Sequence, residues 1–155
     1  MLIKENLKGL TGEVQTVVRD KETGWVKRIT YYHNVIVLVA KTMIADNLTN
    51  ASPDNVMRIT HFTVGSDATA VGVGDTTLGT ETYRNLVASE TNADNIVYVS
   101  GFLSATEDDG TYNEAGLFAN GSAGADTGVL VSHVNITETK SNIESLTIDW
   151  QITIN

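Results

Sequence analysis

The side chains able to do chemistry are few and scattered. The three histidines, His33, His61 and His133, stand far apart, with no His-x-x-x-His or comparable metal-ligand spacing. His61 and His133 fall within strand-like stretches and read as residues of sheet faces. Glu107, Asp108 and Asp109 precede Gly110 and form the densest acidic run. Adjacent acids before a glycine read as a solvated turn, with a weak calcium site as the alternative; the EF-hand spacing is absent. A retaining glycosidase needs two carboxyls on separate elements facing one pocket, and no such pair is visible. Gly72-Val73-Gly74 has its next glycine at Gly79, out of register for a dinucleotide-binding turn. Gly121-Ser122-Ala123-Gly124 lacks the spacing of a nucleophile elbow. No catalytic, cofactor-binding or metal-binding residue is expected.

Composition narrows the classes further. The chain has 155 residues and no cysteine, which excludes disulfides, zinc–thiolate sites and thiol catalysis. Its 19 acidic against 10 basic residues give a formal charge of −9, a poor match for a phosphate backbone. Lys27-Arg28 is the only adjacent basic pair. Nucleic acid is therefore not expected as a partner. A membrane is not expected either, because the longest apolar run, Val35 to Ala40, is too short to span one. The opening Met1-Leu2-Ile3-Lys4-Glu5 lacks the apolar core of a secretory signal.

The elements that must position any site read as mainly β. Leu146, Ile148, Trp150, Ile152 and Ile154 alternate with polar residues, the period of a half-buried strand. Thr111 to Phe118 and Val129 to Ile136 precede it, and the three read as an antiparallel meander. Upstream, Glu13 to Asp20 and Trp25 to Tyr32 flank Lys21-Glu22-Thr23-Gly24, a hairpin turn closed by Gly24. Arg58 to Gly65, Glu81 to Ser89 and Ile96 to Ala105 add further strands. Ser66 to Gly79 is a long loop with Leu78 aimed inward, and Asn120 to Gly128 is a flexible hairpin tip. One helix over about residues 36–49 is expected, capped by Asn34, although Val35-Ile36-Val37 would equally prolong the strand before it. The only proline, Pro53, ends that region. About eight short strands with regular turn signals predict an antiparallel β-sandwich in a single domain, 1–155, with 1–10 as a contact arm.

Asn113-Glu114-Ala115-Gly116-Leu117-Phe118, then Gly128 to Val134, then Ser145 to Ile154 with Trp150 at its centre, resemble a family of small tailed-bacteriophage virion proteins and tail-fibre domains. Phe62 to Asp67 and Asp75 to Glu81 resemble the same family's upstream block. The resemblance spans Ile59 to Asn155 and carries no catalytic signature. It implies a non-enzymatic structural subunit, decorating a capsid or belonging to a tail or baseplate, assembled in the host bacterial cytoplasm into a virion. Its implied partners are other virion proteins and further copies of itself. The alternative is a tail-tip module binding a host receptor or glycan through the loops at 66–79 and 120–128. Asn113, Glu114, Gly116, Leu117, Phe118 and Trp150 are the motif residues. Physically, Glu114 reads either as an acceptor of backbone amide hydrogen bonds in that bend or as a plain exposed acid, Gly116 allows close approach or a bulge, and Trp150 is a core anchor, with carbohydrate stacking as the lesser alternative.

Overall fold

The computed structural model describes residues 9–49 and 57–155. The elements run β1 (Leu10–Asp20), β2 (Val26–Ile36), α1 (Leu38–Thr49), β3 (Ile59–Gly65), β4 (Glu81–Leu86), β5 (Ser89–Ala93), β6 (Ile96–Leu103), β7 (Gly110–Ala119), β8 (Val129–Lys140) and β9 (Glu144–Ile154). The nine strands form one sheet in the order β4-β3-β7-β8-β2-β1-β9-β6-β5. Its pairings are antiparallel, and it curls into a half-barrel.

The mainly β reading with one helix therefore holds; the strands form one continuous sheet curled into a half-barrel, not clearly the expected two-sheet sandwich. β2 is the reason. Most of it pairs along β1, and its last two residues, Val35 and Ile36, pair with His133 and Ser132 of β8. A strand that hands its ladder from one neighbour to the next keeps the sheet continuous. At the far side, β4 and β5 occupy opposite ends of the order yet are separated only by Val87 and Ala88. The Val87 amide donates to Thr60 O at 3.0 Å and the Ala88 amide to Ser100 O at 2.7 Å. The curl thus brings the two ends of the sheet together, and Arg58 pairs with Glu90 at 2.7 Å beside that junction.

The expected C-terminal meander is corrected too. β7 pairs with β8, but β9 does not pair with β8. It lies between β1 and β6, registering Val14 with Trp150 and Trp150 with Val99. Leu146, Ile148, Trp150 and Ile152 point into the half-barrel, where they are buried with Val14, Val18, Val99 and Leu103. The opposing arm supplies Phe62, Val64, Ala115, Leu117 and Val134. The arms meet where Phe62 lies over Gly101; a Cβ on Gly101 would sit 2.5 Å from the ring. Apolar burial between the arms, worth about 25 cal/mol per Å², is the main stabilising contribution.

Asn34 does not cap the helix. Val35 and Ile36 continue β2, and α1 begins at Leu38, whose amide donates to Val73 O at 2.8 Å. The β-branched run prefers the extended backbone. Lys21 to Gly24 closes the first hairpin as expected, with Gly24 at φ +70. Residues 1–8 of the expected contact arm, and Pro53, lie outside the described residues.

Candidate functional site

The motif strand β7 is buried on both sides, which alternating polarity alone would not permit. Two bulges, at Tyr112/Glu114 and at Leu117/Phe118, let it change which residues face inward. Leu117 pairs opposite Phe62 toward the core, while Phe118 lies under Arg84, whose guanidinium carbon stands 4.3 Å from the ring centre. Arg84 grips Glu81 through two bonds of 2.8 Å and donates to Thr127 O at 3.0 Å. The Asn120 to Gly128 tip is therefore tied to β4, with Thr127 also accepting from Ser122 N at 2.9 Å. Asn113 lies in the first bulge and donates to Ser66 O at 2.9 Å.

Glu114 is the hub. It is 1 % exposed and faces the loop that links β3 to β4. Its Oε1 accepts from the amides of Thr80 at 2.7 Å and Asp67 at 3.3 Å; its Oε2 accepts from Gly79 N at 2.8 Å. His133 of β8 completes the shell, with Nε2 2.9 Å from Glu114 Oε2 and Nδ1 2.7 Å from Asp75 Oδ2. Asp75 also accepts from Gly72 N at 2.8 Å. Of the two readings the sequence offers for Glu114, amide acceptor or exposed acid, the structure has the first. The sequence did not anticipate that His133, read there as a plain sheet-face residue, would lie between two carboxylates from distant segments.

Gly65 and Gly79 serve this hub by their size rather than by any special φ. A Cβ on Gly65 would fall 2.4 Å from Glu114 Oε1, and one on Gly79 would fall 2.1 Å from Asp67 Oδ2. Leu78 is buried as expected and fills the space over Gly116, where a Cβ would meet its Cδ1 at 2.6 Å. Trp150 is buried at 1 % exposure in the opposing arm, so it anchors the core and takes no part in this cluster; its indole nitrogen has no hydrogen-bond partner.

The chemistry available to the cluster is limited. Both imidazole nitrogens of His133 are engaged by carboxylates, and no hydroxyl is bonded to the ring, so no nucleophile–base pair forms there. Among the described residues, no group of three or more His, Asp or Glu side chains is arranged to hold a metal ion. The loop encloses a polar cleft of about 360 Å³ lined by Asp67, Thr69, Thr76, Thr77, Glu114 and His133 among others. His61 is buried beside Thr60 and Arg84, and burial, with the Arg84 charge, holds its pKa below the usual range. His33 is exposed on β2. The three histidines do not converge.

The acidic turn is filled from within. Lys140, whose side chain is fully buried, donates to Glu107 O at 2.6 Å, Asp108 O at 3.0 Å and Asp109 Oδ1 at 3.1 Å. An ammonium thus stands where a calcium ion was the alternative. Glu107 turns away and accepts from Ser104 N at 2.7 Å and Tyr83 Oη at 2.7 Å. The Ser104 amide is the main cause that holds its carboxyl below the usual range. Burial, and then the Glu107 bond, push the Tyr83 hydroxyl up to about 12.

A second buried acid, Glu138, accepts from Thr16 at 2.6 Å, from Arg28 at 2.6 and 2.8 Å, and from Tyr32 at 3.0 Å. Burial opposes its ionisation, but these bonds prevail and keep its pKa low. The signal for the burial of Glu138 and Lys140, though not for their partners, was present in the sequence. Both continue the inward phase of Val134 and Ile136 along β8.

Comparison with family models, with curated proteins and with solved structures finds no match to this chain.

Proposed function

We propose that the chain is a non-enzymatic structural protein of a tailed-bacteriophage virion, a capsid-decorating or tail or baseplate accessory subunit that assembles through symmetric contacts. One observation carries the reading: the groups that converge in the fold are consumed in holding it. Glu114, His133 and Asp75 fasten a loop, and Lys140 fills the acidic turn. The apolar side chains left in solvent include Ile29, Tyr31, Tyr98 and Phe102, on strands that form one arm of the sheet. Large exposed apolar residues gathered on one surface suit contact with other subunits. The motif resemblance points the same way.

Mass spectrometry of purified phage particles whose genome encodes this chain tests the reading, with immunogold labelling to place it on head or tail. The expected result is the chain at a fixed stoichiometry in intact particles. Its absence from particles that infect normally would sink the proposal. The receptor- or glycan-binding reading has one supporting feature, the polar cleft beneath the 66–80 loop, lined by Thr69, Thr76 and Thr77. It requires saturable binding to host cells that substitutions at those threonines abolish.

A further inference from the structure

The outer face of the β2-β1-β9-β6 arm is laid out in rows. Register places Ile29, Val17, Thr147 and Phe102 side by side, then Tyr31, Gln15, Asp149 and Ser100, then His33, Glu13, Gln151 and Tyr98. Beyond the first row lies Arg19, opposite Ser145. Ile29, Tyr31, Tyr98 and Phe102 are between 40 % and 72 % exposed, and no element of the described chain covers them. Inner-face neighbours such as Val14, Ile148 and Trp150 are buried, whereas in the three outer rows only Val17, at 7 % exposure, is buried.

We propose that this face packs against the same face of a second copy. The two-fold axis lies in the plane between the sheets and crosses the strands at the level of Thr30, Thr16, Ile148 and Gly101. Two observations select a second copy over other occupants. The first is charge. Glu13 and Arg19 both face outward, and each stands three residues from Thr16 along β1. Rotation about an axis at Thr16 therefore sets Glu13 of one copy over Arg19 of the other, twice. The same operation lays Ile29 over the partner's Tyr31, aliphatic against aromatic, and sets Phe102 over Ser100, Val17 over Gln15 and Thr147 over Asp149. An isologous contact needs this kind of self-complementarity.

The second observation is area. β1, β2 and β9 have 11 residues each and β6 has 8. Three strands about 37 Å long and one about 27 Å long, about 4.8 Å apart, present roughly 660 Å² in plan, somewhat below the roughly 800 Å² per partner of a standard interface. Each copy carries a charge of −9, which opposes association; on this face lie Glu13, set against Arg19 by the rotation, and Asp149, whose Oδ1 accepts from Ser100 Oγ at 2.6 Å.

The inference deepens the proposed function by naming the surface behind its symmetric contacts, and it rests on that reading for the expectation of self-association. It is tested without any particle, so its failure leaves the particle experiment untouched. The isolated full chain is measured by sedimentation equilibrium. A dimer is expected. Glu13→Arg and Arg19→Glu should each weaken it about tenfold or more, because each sets like charges face to face, and the double swap should restore it to within about threefold. Circular dichroism checks that these exposed substitutions leave the fold intact. Because the chain has no cysteine, Thr147→Cys gives a unique spin-label site. Two labels on sheets stacked about 10 Å apart should give a single distance on the order of 20 Å. A wild-type chain that stays monomeric at high concentration overturns the proposal. So does a dimer indifferent to both charge reversals, or one whose labels lie far apart.

Discussion

Replacing Glu114 by glutamine removes one oxygen and one charge, and it should unfasten the 66–80 loop. The carboxylate accepts three backbone N–H groups, at 2.7, 2.8 and 3.3 Å, while facing His133 at 2.9 Å. A carboxamide keeps only one oxygen. Its better placement leaves that oxygen on Thr80 and Asp67 and turns the NH₂ toward His133 and Gly79. The Gly79 amide then loses its acceptor and meets a donor. A hydrogen bond to a charged group contributes about 1.5–3 kcal/mol, and a stranded buried donor costs about 1–3 kcal/mol. The substitution should therefore destabilise the protein by about 3 kcal/mol, lowering the melting temperature by roughly 6–12 °C for a chain of this size. Urea unfolding followed by fluorescence of the buried Trp150 measures the difference. Asn113→Ala, which removes a single bond to Ser66 O, is the control, with an expected cost of about 1 kcal/mol. Amide exchange at Gly79 and Thr80 should accelerate in the glutamine variant more than exchange along β9. An unfolding free energy for Glu114→Gln no lower than that of Asn113→Ala would refute the account of Glu114 as the clasp.

Other outcomes follow from neighbouring features. Lys140→Met should cost about 2–4 kcal/mol in the same urea assay, because it strips a buried donor from Glu107 O and Asp108 O. Added calcium should not recover that loss if Lys140 acts by filling the turn. Glu138 and Glu107 have folded pKa values below their ordinary 4.5, so their contribution is present above that value. It is lost as pH falls through the lower folded values, so stability should decline below about pH 4.5, and Glu138→Gln should flatten the acid limb of the profile. Gly101→Ala puts a methyl group 2.5 Å from the Phe62 ring and should cost about 1–3 kcal/mol, with Phe62→Leu in the same chain partly relieving it. Additive losses in the double variant would argue against contact between the arms there.

The parts legible in the sequence were those governed by local pattern. The alternation through Trp150, the Gly24 turn, the inward Leu78 and the close approach at Gly116 are properties of a few adjacent residues, and each is found in the fold. Strand partnership was not legible in the same way. Nothing within Leu146 to Ile154 tells whether β8 or β1 lies beside it, because both offer apolar residues at the same period. The helix start failed where two local preferences compete, with Asn34 suited to a cap and Val35-Ile36 suited to a strand. At the candidate site, Glu114 could be read as an amide acceptor from the bend around it. Its meeting with His133 and Asp75 depends on the register of β7 with β8 and on a long loop, and neither is written in spacing. Lys140 as the cation of the acidic turn was hidden for the same reason, 31 residues separating it from Asp109.

The position of β9 between β1 and β6 bears on how the protein is made. β1 and β6 are synthesised before β9, yet they have no direct ladder to each other; β9 supplies it. Until Glu144–Ile154 leaves the ribosome, this arm lacks its central strand, and the inner faces of Val14, Val18, Val99 and Leu103 await Leu146, Ile148 and Trp150. Such pairings between distant segments fold slowly and leave unpaired strand edges open to wrong partners in the meantime. The nascent chain should thus be a chaperone client until β9 emerges, and truncation within β9 should yield aggregates rather than a smaller folded protein.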